Sequence, residues 1–251
     1  MSTKGEDKTV KRLNAEKVYK IERKHATFVL KTSAGPHSKK SAVPLGFFIR
    51  NLLNIAKTKK EAKFILGSRK IFVNGIVRTE LNFPVGLFDV ISIPENKEYF
   101  RVLLDSKGRI SFKEIKKEEA NMKVCKVKAK HLSKGNKLVI TTNDGRNLIC
   151  DKAVKVNDSL VIDLTSNTVK DVLSFDKGAL VYLIGGKHVS AIANVNNITP
   201  ATMRRNSLVE LIEGKDSYQT VVSNVFVIGK DKPVLASVQR GVLNEWSYER
   251  N

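Results

Sequence analysis

The sequence is poor in cysteine, in acidic residues and in long apolar runs. Only two cysteines, Cys125 and Cys150, occur in 251 residues. That number excludes a disulfide scaffold and a cysteine-rich zinc site. Both have apolar neighbours, so both are expected as buried free thiols in a reducing compartment. No window approaches the roughly 18 apolar residues of a spanning helix. The N-terminus, MSTKGEDKTVKR, is polar, so no secretory signal is expected. The glycosylation patterns at Asn157 and Asn197 accordingly read as chance. His25, His37, His131 and His188 stand far apart with no i,i+4 partner, so no zinc site is expected.

Catalytic motifs are missing too. Gly185-Gly186-Lys187-His188 lacks the upstream glycine and the following Ser/Thr of a phosphate-binding loop. There is no G-x-G-x-x-G fingerprint and no G-x-S-x-G elbow. Glu118-Glu119 lies among lysines and reads as a solvated helix face. The expectation is no enzyme, no cofactor, no metal and no small-molecule substrate.

Positive charge is what the chain has in excess. Lys and Arg number 45 against 25 Asp and Glu, a net of +20. Residues 1–70 hold 18 cations and 5 anions, leaving 27 and 20 for the rest. Most of the excess therefore sits near the N-terminus, which points to a polyanionic partner. The apolar share, 41%, is enough for real cores. The length suits two or three small domains better than one.

Residues 1–42 read as a basic arm, expected to be flexible by itself, with a turn at Ser33-Ala34-Gly35-Pro36-His37. Residues 43–100 change character. Pro44 opens a helix whose apolar positions Leu45, Phe48, Ile49, Leu52, Leu53 and Ala56 follow helical spacing. Arg50 and Lys57 share a face of it. Thr58-Lys59-Lys60-Glu61 is a capping box for a second helix, with Ala62, Ile65 and Leu66 inward and Gly67 at its end. Lys59, Lys60 and Lys63 crowd its first turns, where cations oppose the helix dipole and a phosphate would relieve them. Asn74-Gly75 predicts a tight hairpin. Val90 to Ile93 adds a strand.

Residues 101–174 read as a central β domain. Its hairpins turn at Asp105–Gly108, Asn143–Gly145 and Ser166-Asn167, and a short helix is expected within Glu114–Lys123. Residues 175–230 are β again, with strands at 179–184 and 189–195 joined by a tight Gly185-Gly186 loop, then Val221-Val222 and Val225–Ile228. Residues 231–251 form a polar tail with Trp246 and Tyr248.

The order of these pieces resembles the small-subunit ribosomal protein family "S-four-e" of eukaryotes and archaea. The carriers are Ser33–His37; Pro44-Leu45 with Arg50-Asn51; and Ile71–Gly75 with Val77-Arg78-Thr79. Pro84-x-Gly86 with Asp89–Ile93 and Arg101-x-Leu103 with Asp105–Arg109 continue the order. Cys125-Lys126-Val127, Lys155–Asp158, Phe175-Asp176-x-Gly178, Gly185-Gly186 and Asn224–Lys230 complete it. The resemblance implies an α+β, multi-domain, mostly β chain. It would join an S4-like helix-pair-plus-hairpin module (43–100), the central antiparallel domain, and a small KOW-type, SH3-like barrel (175–230). Two departures stand out. Ser190 and Ala193 replace glycines of the KOW loop, and Tyr19 replaces an arm tryptophan.

The function so implied is a structural constituent of the small ribosomal subunit, bound to its rRNA and to neighbouring subunit proteins, with no membrane partner. It would sit on cytoplasmic ribosomes and, in a eukaryote, pass through the nucleus and nucleolus during assembly. Expected RNA contacts are Lys11, Arg12, Lys17, Lys20, Arg23, Lys24, His37, Lys39 and Lys40 in the arm. Arg50, Lys57, Lys59, Lys60, Lys63, Arg69, Lys70 and Arg78 follow in the module, and Lys187 in the barrel. The alternative is a non-ribosomal RNA-binding, RNA-modifying or transcription-elongation factor carrying the same modules. The modifying version would need an Arg-Leu-Asp tripeptide, which the sequence lacks.

Overall fold

The computed structural model describes residues 10–21, 24, 26–133, 135, 137–149, 153–214 and 216–238. Arg23, His25, Cys150 and the tail with Trp246 and Tyr248 lie outside them.

The described part of the arm is docked rather than loose. β1 (Val10–Lys11) pairs antiparallel with β2 (Phe28–Val29). Val18, Tyr19, Ile21 and Val29 pack against the main core. The Tyr19 ring meets Phe47 edge-on at 5.2 Å, and its hydroxyl donates to the Leu30 carbonyl at 3.2 Å. Apolar residues too few for a domain of their own still suffice to fasten a segment to a neighbouring core.

β3 (Ala42–Pro44) leads into α1 (Leu45–Phe47), which widens into a π-helical turn over Phe48–Leu52. The widened turn buries Phe48, Ile49 and Leu52 together. Asn54 then takes a left-handed φ of 55° and ends the run. The helical spacing expected through Ala56 therefore stops short. Lys57 lies beyond this helix and does not share a face of it with Arg50. α2 (Lys59–Gly67) follows, with the capping box complete. Ala62 and Leu66 are fully buried, Ile65 partly.

β4 (Phe72–Val73) and β5 (Ile76–Val77) are joined by Asn74 and Gly75, at φ 52° and 78°. Positive φ at both central positions is what a type I′ hairpin requires. β6 (Pro84–Gly86) pairs back to β3. β7 (Val90–Ile93), β8 (Glu98–Leu104) and β9 (Ile110–Glu114) complete a five-stranded antiparallel sheet in the order β5-β4-β7-β8-β9. The hairpin that the sequence puts at the start of the central domain thus belongs to the first sheet. Aromatic packing holds it there: Phe112 lies 5.5 Å from Phe48 and 5.4 Å from Phe100, ring centre to ring centre.

Of the expected 114–123 helix only one turn forms, α3 (Lys117–Ala120). β10 (Met122–Leu132), β11 (Leu138–Thr142), β12 (Asn147–Ile149), β13 (Ser159–Asp163) and β14 (Val169–Leu173) make the central sheet, ordered β12-β11-β10-β13-β14. β10 serves two partners: its first half pairs β13, its second half β11, with a register shift between Val127 and Ala129.

β15 (Leu180–Leu183), β16 (Ile192–Thr199), β17 (Leu208–Glu213), β18 (Asp216–Val221) and β19 (Val225–Gly229) form the third sheet, ordered β18-β17-β16-β15-β19. Gly185-Gly186 does not close a tight hairpin, because residues 184–191 intervene between β15 and β16. The first and third sheets share one core, while the central sheet keeps a second one around Cys125, Ile140, Leu148 and Leu160. The chain is thus mostly β with few helices, in several sheets.

Candidate nucleic-acid interface

The cap of α2 decides where charge faces outward. Thr58 Oγ1 accepts the Glu61 N–H at 3.2 Å. Glu61 turns back and accepts the N–H groups of Lys57 at 2.9 Å and Thr58 at 3.4 Å. These backbone bonds, Lys57 first, hold its carboxyl below the ordinary range. Glu61 is the sole acidic residue from 43 to 79, against eight cations. Its carboxylate accepts the cap N–H groups, so Lys57, Lys59, Lys60 and Lys63 stand exposed with this one capping acid on their segment. Phe64, 81% exposed, lies on the same helix one turn beyond Lys60. Sequence reasoning passed it over. The available signal was an apolar residue outside the inward set Ala62, Ile65 and Leu66.

The other expected contacts divide. Lys11, Lys17, Lys20, Lys24, Lys39 and Lys40 are exposed on the arm, and Arg12 is half-buried. Lys11 and Lys39 line an open cleft of about 450 Å³ with Lys31, Asn14 and Tyr19. Arg50 is half-buried beside the arm's Phe28 and Ile21. Arg69 is exposed at a left-handed corner, φ 60°. Lys70 pairs with Glu95 at 2.7 Å. Arg78 lays its guanidinium over the Phe83 ring at 4.4 Å. Lys187 is exposed in the 184–191 loop, next to His188, whose ring stacks on Tyr218 at 4.2 Å and 10°.

His37 is not on a surface. Its side chain is 6% exposed and its Nε2 lies 2.9 Å from Asp89 Oδ2. The ring fills the space above Gly86, where a Cβ would stand 2.5 Å from it. The Ser33–His37 turn therefore docks onto β6 and is a fastening of the arm, not an outward contact.

Asp89 is the centre of a buried network that sequence reasoning missed. It accepts from Asn74 Nδ2 at 2.8 Å, from the Gly86 N–H at 2.9 Å and from Lys123 Nζ at 2.7 Å. Lys123 also donates to Asp144 at 2.8 Å, and Arg146 approaches Asp144 at 3.2 Å. Burial alone would raise the Asp89 carboxyl, but the facing His37 ring and Lys123 ammonium, with their hydrogen bonds, hold it far below the carboxylate range. Burial would lower Lys123, and Asp89 with Asp144 overcomes that and holds it protonated. Cys125 donates weakly to Asp144 at 3.4 Å, and burial pushes its thiol up to about 12. That thiol is inert at neutral pH. The network ties the arm, the first sheet and the central sheet together.

Motif residues of the resemblance are also engaged within the fold. Arg101 is fully buried and donates to the Glu119 and Met122 carbonyls at 2.8 and 2.9 Å. Lys126 donates to the Val222 and Val225 carbonyls, both at 2.8 Å, and burial pushes it down to about 8. The Asn74-Gly75 tip abuts the Leu164 carbonyl, 3.6 Å from where a Gly75 Cβ would lie. Ser190 takes the conformation glycine favours, φ 65°. Ala193 is buried in β16 opposite Val181.

Among the described residues no His/Cys/Asp/Glu group is arranged to hold a metal, and no helix is long and apolar enough to cross a membrane. Fold and surface together define a mostly β protein that buries the Asp89 and Asp144 carboxylates against Lys123 and turns a lysine ridge outward on α2. Comparison with known proteins supplies the family. The profile of Ribosomal family S4e matches residues 96–169, and that of the RS4NT (NUC023) domain matches residues 4–40. The chain is 38% identical over 240 residues to small ribosomal subunit protein eS4 of Methanosphaera stadtmanae, covering 95% of this chain and 99% of the relative. It is 37% identical to eS4 of Caenorhabditis elegans over 243 residues, 95% of this chain and 92% of that one. The crystal structure of 30S ribosomal protein S4e from Thermoplasma acidophilum superposes with a TM-score of 0.66 at 31% identity, covering 76% of this chain and 96% of that chain. The chain belongs to the eS4 family of small-subunit ribosomal proteins, which are structural components and not enzymes.

Proposed function

We propose that this chain is a structural constituent of the small ribosomal subunit that binds rRNA through its basic arm and the cation ridge of α2, beside neighbouring subunit proteins. The observation that carries the reading is the outward Lys57–Lys63 ridge, whose one acid is locked into the helix cap. Residues 43–100 act as an S4-like module and 175–230 as a KOW-like barrel. Residues 101–174 act as the central β domain, with their leading hairpin joined to the first sheet. Lysine and arginine make the salt-sensitive, shape-directed contacts that A-form RNA allows. The protein works on cytoplasmic ribosomes, with nuclear passage during assembly if the cell has a nucleus.

The test is charge reversal of Lys59, Lys60 and Lys63 to Glu, compared with the same change at Lys107, Lys116 and Lys117. Lys107, Lys116 and Lys117 are exposed. Filter binding to small-subunit rRNA should weaken strongly for the first set only. Each lost phosphate contact should lower the log–log salt slope by roughly 0.7 to 0.9. Equal losses from both sets would show that the ridge is not the RNA face. In a sucrose gradient, a tagged wild-type copy should remain with the small subunit through a high-salt wash. Release at modest salt would favour a transient RNA factor.

A further inference from the structure

Three strands of the central sheet leave one face open. β10, β11 and β12 lie side by side, and their register sets two cross-strand rows. His131, Val139 and Ile149 stand opposite one another, and so do Ala129, Thr141 and Asn147. The intervening positions Ile140 and Leu148 are buried in the central core with Val127. Side chains alternate across a strand, so the two rows form the outward face. Ile149 is 63% exposed, and His131, Ala129 and Asn147 are exposed as well. The polar pair on this face is internally satisfied, Thr141 donating to Asn147 Oδ1 at 2.8 Å.

The strands that carry this face are rich in cations. Residues 122–149 contain seven Lys/Arg and a single acid, Asp144. Asp144 is 4% exposed and held between Lys123 and Arg146. No negative charge from this stretch therefore reaches solvent, while Lys128 and Lys137 are exposed beside the rows. A patch of imidazole and aliphatic side chains flanked by the exposed Lys128 and Lys137 suits stacked bases with phosphates at the edge. A duplex keeps its bases in its own stack and would gain little from such a patch. A protein partner would leave the rim lysines to be neutralised separately.

We propose that the outward face of β10–β12 is a second RNA contact, on which unpaired nucleotides stack against His131 and the Val139–Ile149 row while Lys128 and Lys137 take the flanking phosphates. The inference rests on the rRNA-binding reading above and names a site apart from the α2 ridge. It adds single-strand recognition to what the ridge does by charge.

The test uses the full chain and a single-stranded RNA of roughly 12 nucleotides, alongside a duplex of equal length. One variant carries His131→Ser and Ile149→Ser, both at exposed positions. The other carries Lys128→Gln and Lys137→Gln. The first should weaken single-strand binding by about 5- to 150-fold, the range of a lost base stack, with the salt slope and duplex binding unchanged. The second should lower the single-strand salt slope by about 1.4. Photocrosslinks from 4-thiouridine in the single strand should fall within 128–149. Wild-type single-strand binding by both variants overturns the proposal. So does intact RNA binding combined with lost incorporation into the subunit, which would assign the face to a protein neighbour. A wild-type chain that binds neither RNA would instead sink the underlying reading, and the α2 reversal separates the two.

Discussion

Asp89 and Lys123 carry no outward function, yet more of the structure hangs on them than on any exposed lysine. Both are buried, and each is the other's charged partner at 2.7 Å, with His37 and Asn74 completing Asp89 and Asp144 completing Lys123. Removing one partner of such a pair leaves a buried charge uncompensated, at roughly 3–5 kcal/mol. Asp89→Asn should therefore lower stability by that order in urea denaturation. The pH dependence has a definite sign. Asp89 and Asp144 both titrate below the unfolded carboxylate value near 3.9, Asp144 at about 2. Between those values the unfolded chain binds more protons, so the stability they provide is present above about pH 4 and lost as pH falls through that window. A thermal-melt series from pH 5 to 2 should fall less steeply for Asp89→Asn than for wild type. Parallel curves would show that the network does not control acid unfolding.

The most legible elements are those that local chemistry alone specifies. The α2 cap is one: a hydroxyl and a carboxylate three positions apart meet whatever the rest of the chain does. Thr58→Ala should cost about 1 kcal/mol, measured by urea denaturation. It should also loosen the Glu61 carboxylate, which now accepts the Lys57 and Thr58 N–H groups. The Asn74-Gly75 turn was legible for the same reason, since positive φ at adjacent positions selects those residues. The long β10 and the β17 strand were not. β10 has Lys123 buried among apolar residues and an exposed second half, so no single alternation runs through its 11 residues. Its two halves answer to different partner strands. The widened turn at Phe48–Leu52 escaped for a related reason: apolar spacing marks the inward face but not where packing will stop a helix.

At the scale of the whole molecule, the first and third sheets behave as one body. Phe88, at a left-handed φ of 63°, puts its ring 5.6 Å from Tyr182 and 4.8 Å from Phe226. The Tyr182 hydroxyl bonds both the N–H and the carbonyl of Leu104 at 3.2 Å. Lys126 adds the central sheet through its bonds to the Val222 and Val225 carbonyls. Phe88→Ala should remove roughly 3–5 kcal/mol and destabilise both sheets together. Hydrogen exchange should show matched loss of protection in β8 and β15. Loss confined to one sheet would mean that the shared core is not a cooperative unit.

Composition and short-range pattern specify the basic excess and its N-terminal bias, the lack of catalytic and metal motifs, most hairpin turns, and the order of motifs that resembles the eS4 family. These depend on composition or on residues a few positions apart. Only the tertiary structure decided that His37 and Arg101 turn inward, that Lys70 and Arg78 are engaged by Glu95 and Phe83, and that the β8–β9 hairpin belongs to the first sheet. It alone revealed Phe64 and the His131 row as outward faces. A cation reads the same in sequence whether it meets solvent or a buried carboxylate. The difference lies in which distant strand closes over it, and long-range pairing leaves no local mark.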